Sequence, residues 1–242
     1  FYNGLQMTFG KNRVQYTNEK IWSYYSWQRF DTYFYQNGKE LAIMAARYAD
    51  KNLPLIEKKI DYYLDGKIQF VVFNSLTDLK QSNIGLASEQ IYNIGGNTQI
   101  IGKTVVLHFN GNYTDFEAQI KFGIASVLVN QLLFGGEISS NIKNSSLLFL
   151  PQWYVEGLKS FIAHDWSFNL DNITKNGILS RKYKKFNHLA GDDAKIAGHS
   201  IWNFVKEQYG EQSVSNILYM TKISRSVENG FLYVLGLPFK QL

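Results

Sequence analysis

The sequence predicts an α+β protein: a small mixed β-sheet with helices, followed by a mainly helical half built around one buried helix. Three observations carry that expectation. Segment 115–133 puts Phe116, Ile120, Ile124, Val127, Leu128 and Leu132 on one stripe at helical spacing and Phe122, Ala125, Val129 and Leu133 on another. Its charges, Asp115, Glu117 and Lys121, are confined to the first two turns, and a helix apolar on nearly all sides belongs at the centre of its domain. The strand-like runs all precede residue 112, whereas the last third of the chain carries the 3-to-4 apolar spacing of helices.

Taken in order, the first twenty residues are polar and aromatic without period, and read as an extended arm. Segments 21–27 and 30–35 alternate and are dense in Tyr, Trp and Phe, which suit a pleated surface. Asn37-Gly38 signals a turn, and Lys39 opens a helix with Leu41, Ala45, Tyr48 and Ala49 on one face. Pro54 interrupts this pattern, so either the helix kinks there or a second helix begins with the proline in its first turn. Segment 67–74 is a near-continuous β-branched run, a buried strand. A short helix is expected over 76–80, and a loop with a strand at 90–94 follows. Another short strand lies between Gly95-Gly96 and Gly102, and a firmer one spans 104–109. After the central helix, 137–146 is polar loop, and Leu147 to Leu150 leads into a helix opened by Pro151, with Trp153, Leu158, Phe161 and Ile162 on its apolar side. Segment 171–185 is polar, either irregular or a short helix. Helices follow over 194–207, burying Ala197, Ile201, Phe204 and Val205, then over 213–223 and 227–235, with Gly236 as a stop. The whole of 1–242 reads as one domain with a soft division near 112.

The chain has 242 residues, 45% of them apolar and 16% aromatic, enough for a substantial core. No run approaches the roughly 18 apolar residues of a membrane span. The absence of cysteine excludes disulfides and thiolate metal sites and suits a cytoplasm or a periplasm. The net charge of +5 is concentrated in Arg181-Lys182-Tyr-Lys184-Lys185, either a solvated face or a dock for an acidic partner or an anionic surface. Nucleic acid is not an expected partner, because no recognition motif accompanies the charge.

Several segments carry a resemblance. They are Phe9-Gly-Lys-Asn-Arg-Val-Gln-Tyr16, Trp27-Gln-Arg-Phe-Asp-Thr-Tyr-Phe-Tyr35, Lys103-Thr-Val-Val-Leu-His-Phe109, Trp153-Tyr-Val-Glu-Gly-Leu158 and Ala197-Gly-His-Ser with Tyr209-Gly210. In this order they resemble the peptidase-MA-like (gluzincin) domain, in the version found in Bacteroidota envelope proteins ahead of a TolB-type β-propeller. That resemblance implies a periplasmic or outer-membrane-associated location, a longer protein continuing past Leu242, and a place in a secretion or surface-assembly complex.

The departure from the family matters as much. Gluzincins carry His-Glu-x-x-His on the central helix, where two imidazoles one turn apart hold zinc and the Glu is the general base. Set on that pattern, this chain has Phe122, Gly123 and Ser126 at those positions, with Glu156 of the Trp153…Glu156-Gly157 segment as the third ligand. Phenylalanine has no lone pair, glycine has no base, and a neutral hydroxyl is a poor zinc ligand, so no metal or cofactor is expected. Glu156 is then a vestigial ligand that needs donors, with Lys121 or Lys159 as candidates, or else an ordinary surface carboxylate. Phe122 is expected to fill part of the old cavity.

The resemblance also makes Val105, Leu107 and His108, on the strand before the central helix, candidates for pairing with extended peptide. Trp27 and Tyr33, in an aromatic cluster too large for one buried face, are candidates for protein contact. His108, His164, His188 and His199 lack the short spacings of a metal site, and no motif stands behind a rebuilt site of Glu156 with His108 or His164. Ser126 is mid-helix and lacks a nucleophile elbow. The expected function is therefore an inactive metallopeptidase-like domain that binds or scaffolds protein; a hydrolase with a rebuilt site and a spacer for a following propeller are the alternatives.

Overall fold

The computed structural model describes residues 20–82, 99–135 and 150–242. The expected arm over 1–19, the strand at 90–94 and the loop at 137–146 lie outside the described residues, as does the Phe9–Tyr16 segment of the resemblance. The architecture is α+β. The elements run β1 (Trp22–Trp27), β2 (Phe30–Tyr35), α1 (Lys39–Ile60), β3 (Ile68–Phe73), α2 (Leu76–Gln81), β4 (Gln99–Ile101), β5 (Thr104–His108) and α3 (Tyr113–Phe134). They continue with α4 (Gln152–Ala163), α5 (Phe168–Leu179), α6 (Gly191–Tyr209), α7 (Glu211–Ser224) and α8 (Val227–Leu235). The chain divides into two compact units: residues 20–54 with 65–127, and residues 55–64 with 128–242, as far as each is described.

The first unit holds a five-stranded mixed sheet in the order β1-β2-β3-β5-β4. β1 and β2 are antiparallel, β2, β3 and β5 are parallel, and β4 runs antiparallel to β5. Alternation decides which side chain goes where. Phe30, Phe70 and Val105 share one face, where Phe30 and Phe70 stack with centroids 5.4 Å apart. Tyr35, Val71, Phe73 and Val106 share the other and cluster with Leu79 of α2. Ala42, Ala45, Ala46 and Ala49 are wholly buried, which gives the first turns of α1 a narrow buried face, and Leu53, Ile56 and Ile60 continue that face with larger side chains. Ser75 caps α2 by accepting the Asp78 N–H at 3.1 Å. Asp78 in turn accepts the Tyr35 hydroxyl at 2.6 Å and pairs with Lys20 at 2.9 Å. Burial opposes the charge on Asp78, but the Tyr35 and Lys20 donors hold its carboxyl below the usual range.

The second unit is helical. Trp153 and Tyr154 of α4, Trp202 of α6 and Phe231 of α8 are completely buried in an aromatic core. Each polar atom in that core has a partner: Trp153 Nε1 donates to Asn187, Trp202 Nε1 to the Tyr154 carbonyl, and the Tyr154 hydroxyl to Thr221. Helices α4 and α6 cross at Gly157 and Gly198, where a Cβ on either would overlap the backbone of the other helix. Only glycine permits that approach.

Two open alternatives are narrowed and one expectation needs correction. Pro54 does not open a second helix: it lies inside one continuous helix, on its exposed side. Over 171–185 the short-helix alternative holds as far as Leu179, in α5, which is started by Ser167, whose hydroxyl accepts the Leu170 N–H at 3.3 Å. On α6, Ala197 and Val205 are buried as expected, but Phe204 is 40% exposed and Ile201 only partly covered. Trp202, on the adjoining side of the helix, takes the core position, because the face is set by the crossing at Gly198. Gly236 ends α8 in the left-handed conformation, as expected of a stop.

Candidate functional site

The three central-helix positions of the resemblance lie in the first unit. Gly123 and Ser126 are buried and Phe122 is partly exposed. The geometry at Gly123 is decisive, since a Cβ there would overlap Val105 Cγ1 of β5 and come within 3.2 Å of Cγ2. Helix α3 thus lies directly on the sheet at Gly123. Ser126 Oγ has no hydrogen-bond partner among the described residues. Phe122 is too exposed to be a fully buried cavity filler.

Strand β5 is interior, not an edge. β3 pairs with one side over its whole length, and β4 covers Thr104 to Val106 on the other. Val105 and Leu107 are fully buried and His108 nearly so, so their side chains are not part of an exposed contact surface. The amide of Gln119 clamps the strand end, donating to the His108 carbonyl at 2.9 Å and accepting its N–H at 3.1 Å. Burial, helped by Lys80, pushes the His108 imidazole below its ordinary pKa. The sequence indicates the short strand before Gly102, but not that it pairs with β5. Trp27 and Tyr33 are partly exposed on the β1–β2 hairpin, where Tyr25 stacks on Trp27 at 6.2 Å and Tyr24 lies 6.0 Å from Tyr33.

Glu156 belongs to the second unit and is partly exposed on α4. Of its two candidate partners, Lys159 is engaged, at 2.7 Å and one helical turn away. The surrounding pattern has a packing reason: Trp153 anchors the aromatic core and Gly157 makes the α6 crossing. Among the described residues no cluster of three or more His, Asp or Glu side chains is placed to hold a metal ion.

Sequence reasoning missed a buried Ser–His pair beside that crossing. Ser160 Oγ lies 3.0 Å from His199 Nδ1, and the imidazole is edge-on to Phe161 and Trp166. Burial, followed by the charges of His164, Lys59 and Lys195, lowers the His199 pKa to about 4, with Asp165 pulling the other way. Such a pair could activate a nucleophile only if substrate reached it, and His199 is 0% and Ser160 3% exposed. Its role here is packing.

The basic run caps an open cleft of the second unit. Lys182 is neutralised by Asp193 at 2.6 Å, which raises its pKa. Lys184 and Lys185 instead line the cleft, about 580 Å³, together with Lys240 and His188. Phe186, Ile201 and Phe239 form its apolar wall. Arg181 is exposed at the turn after α5, in a left-handed conformation.

No model of a known protein family matches this chain, and no curated protein matches it either. No helix among the described residues is long and apolar enough to cross a membrane.

Proposed function

We propose that this chain is a catalytically inert, gluzincin-like domain that serves as a protein-binding or scaffolding module of a bacterial envelope, in a secretion or surface-assembly complex. The observation that carries the reading is the contact of Gly123 with Val105. Even a methyl group at position 123 overlaps β5, so the position that would present a general base has no room for one. The neighbouring Phe122 and Ser126 supply neither an imidazole nor a thiolate. What remains is an aromatic hairpin in one unit and a basic cleft in the other, each a surface suited to holding another protein.

The test is affinity capture of the intact protein from Bacteroidota envelope extracts, followed by reciprocal capture from the retained partner. A specific partner that is retained through this domain, and lost when the domain is deleted, is the expected result. Retention unaffected by the deletion would leave the domain a spacer and overturn the proposal.

A further inference from the structure

We propose that the cleft of the second unit binds an acidic peptide segment bearing an aromatic or aliphatic side chain, the carboxylates meeting Lys184, Lys185 and Lys240 and the apolar group resting on Phe186, Ile201 and Phe239. This rests on the reading of the domain as a binding module and adds the face and the partner's chemistry; it does not depend on the gluzincin resemblance.

Charge is the first argument. Three lysines line the cleft against one carboxylate, Glu228. That carboxylate is already occupied, since Oε2 accepts the Phe239 N–H at 3.2 Å and so fixes the segment that carries Lys240. None of the three ammonium groups has a carboxylate within ion-pair distance among the described residues, in contrast to the neighbouring Lys182, which Asp193 neutralises. A concave surface lined by cations of one sign attracts and orients an anionic partner.

Shape is the second. The volume of about 580 Å³ lies within the range of about 300–1,000 Å³ over which pockets enclose small ligands. Its apolar wall is preformed: Phe239 stacks on the buried Trp153 at 4.6 Å, and Phe186 lies 5.0 Å from the same indole. A bilayer surface would meet the lysine charges but has no need of the apolar wall beside them. A peptide side chain can enter it, so the occupant is a peptide and not a lipid surface.

The test titrates the whole protein with three blocked probe peptides, followed by NMR or calorimetry: Asp-Glu-Phe-Asp-Glu, its amide analogue Asn-Gln-Phe-Asn-Gln, and Asp-Glu-Ala-Asp-Glu. The first should bind best. Its affinity should fall about tenfold in the Lys184→Ala, Lys185→Ala, Lys240→Ala triple variant and at about 1 M salt, where screening shortens the reach of the charges to about 3 Å. Glu228→Gln, which keeps the acceptor for Phe239 and removes the negative charge, should tighten binding. Equal binding of the acidic and amide peptides, or no effect of the triple variant, would overturn the proposal. So would sedimentation with phosphatidylglycerol vesicles that is lost in the triple variant while the acidic peptide fails to bind. If the envelope partner is still captured by the triple variant as by the parent, the cleft proposal fails and the binding-module reading stands; if the parent captures nothing, the module reading fails.

Discussion

The contact between Gly123 and Val105 can be measured by a double-mutant cycle. Gly123→Ala places a methyl group onto Val105 Cγ1. Overpacking of a tight core costs about 1–3 kcal/mol, and the better helix propensity of alanine returns about 1, leaving a net destabilisation of about 0–2 kcal/mol. Val105→Ala removes two methyl groups that are completely buried, which costs about 2–3 kcal/mol as lost transfer energy plus a residual cavity. Combined, the new methyl group enters the space left by the valine, so the overlap disappears and part of the cavity is filled. The double variant should therefore be more stable than the sum of the singles by about 1–3 kcal/mol. Urea unfolding followed by circular dichroism gives all four stabilities. Additivity within about 0.5 kcal/mol would mean the two residues are not in contact, and the argument for a closed base position would fail.

Other consequences follow from the same geometry. Gly198→Ala should cost more than Gly123→Ala, about 3 kcal/mol or above, because the added methyl group meets the α4 backbone, which cannot rotate away; Gly177→Ala, opposed only by the partly exposed Tyr183 ring, should be within about 1 kcal/mol of the parent in the same urea assay. Acidification should weaken the fold through His199: its native pKa of about 4 lies below the ordinary 6.5, so the unfolded chain takes up the proton first. Stability is then full above pH 6.5 and falls by up to about 3 kcal/mol toward pH 4, at 1.36 kcal/mol per unit, while His199→Gln should flatten that slope in urea midpoints taken across the window. Glu156→Gln should cost less than about 1 kcal/mol, as expected for a partly exposed ion pair with Lys159; a cost above about 2 would point to a burdened, buried carboxylate instead.

What could be read from the sequence was what periodicity encodes. The central helix, the β1–β2 hairpin, β3 and the final helices have strong local patterns, and each forms where the pattern lies. The Glu156–Lys159 pair was legible for the same reason, since one helical turn brings the two side chains together. Contacts between distant segments left no such trace. Nothing local says that β4 covers β5, so whether the strand holding Val105, Leu107 and His108 has an open edge could not be read from the sequence. Trp202 displaced Phe204 from the core because the α6 face is chosen by Gly198 against α4, a choice made across about forty residues of sequence and by no helical period. The cleft was half legible: the basic run drew attention, but Lys240 and the wall of Phe239 come from the far end of the chain.

The central proposal is that helix position 123, which the resemblance would make the general-base position, is closed by Val105 and that its neighbours carry no zinc ligand. Metal analysis of the purified protein after zinc loading and gel filtration, with casein hydrolysis assayed in parallel with and without chelator, tests it most directly. Zinc far below one per chain and no chelator-sensitive cleavage are predicted. One tightly held zinc per chain, or cleavage that the chelator abolishes, would contradict the account.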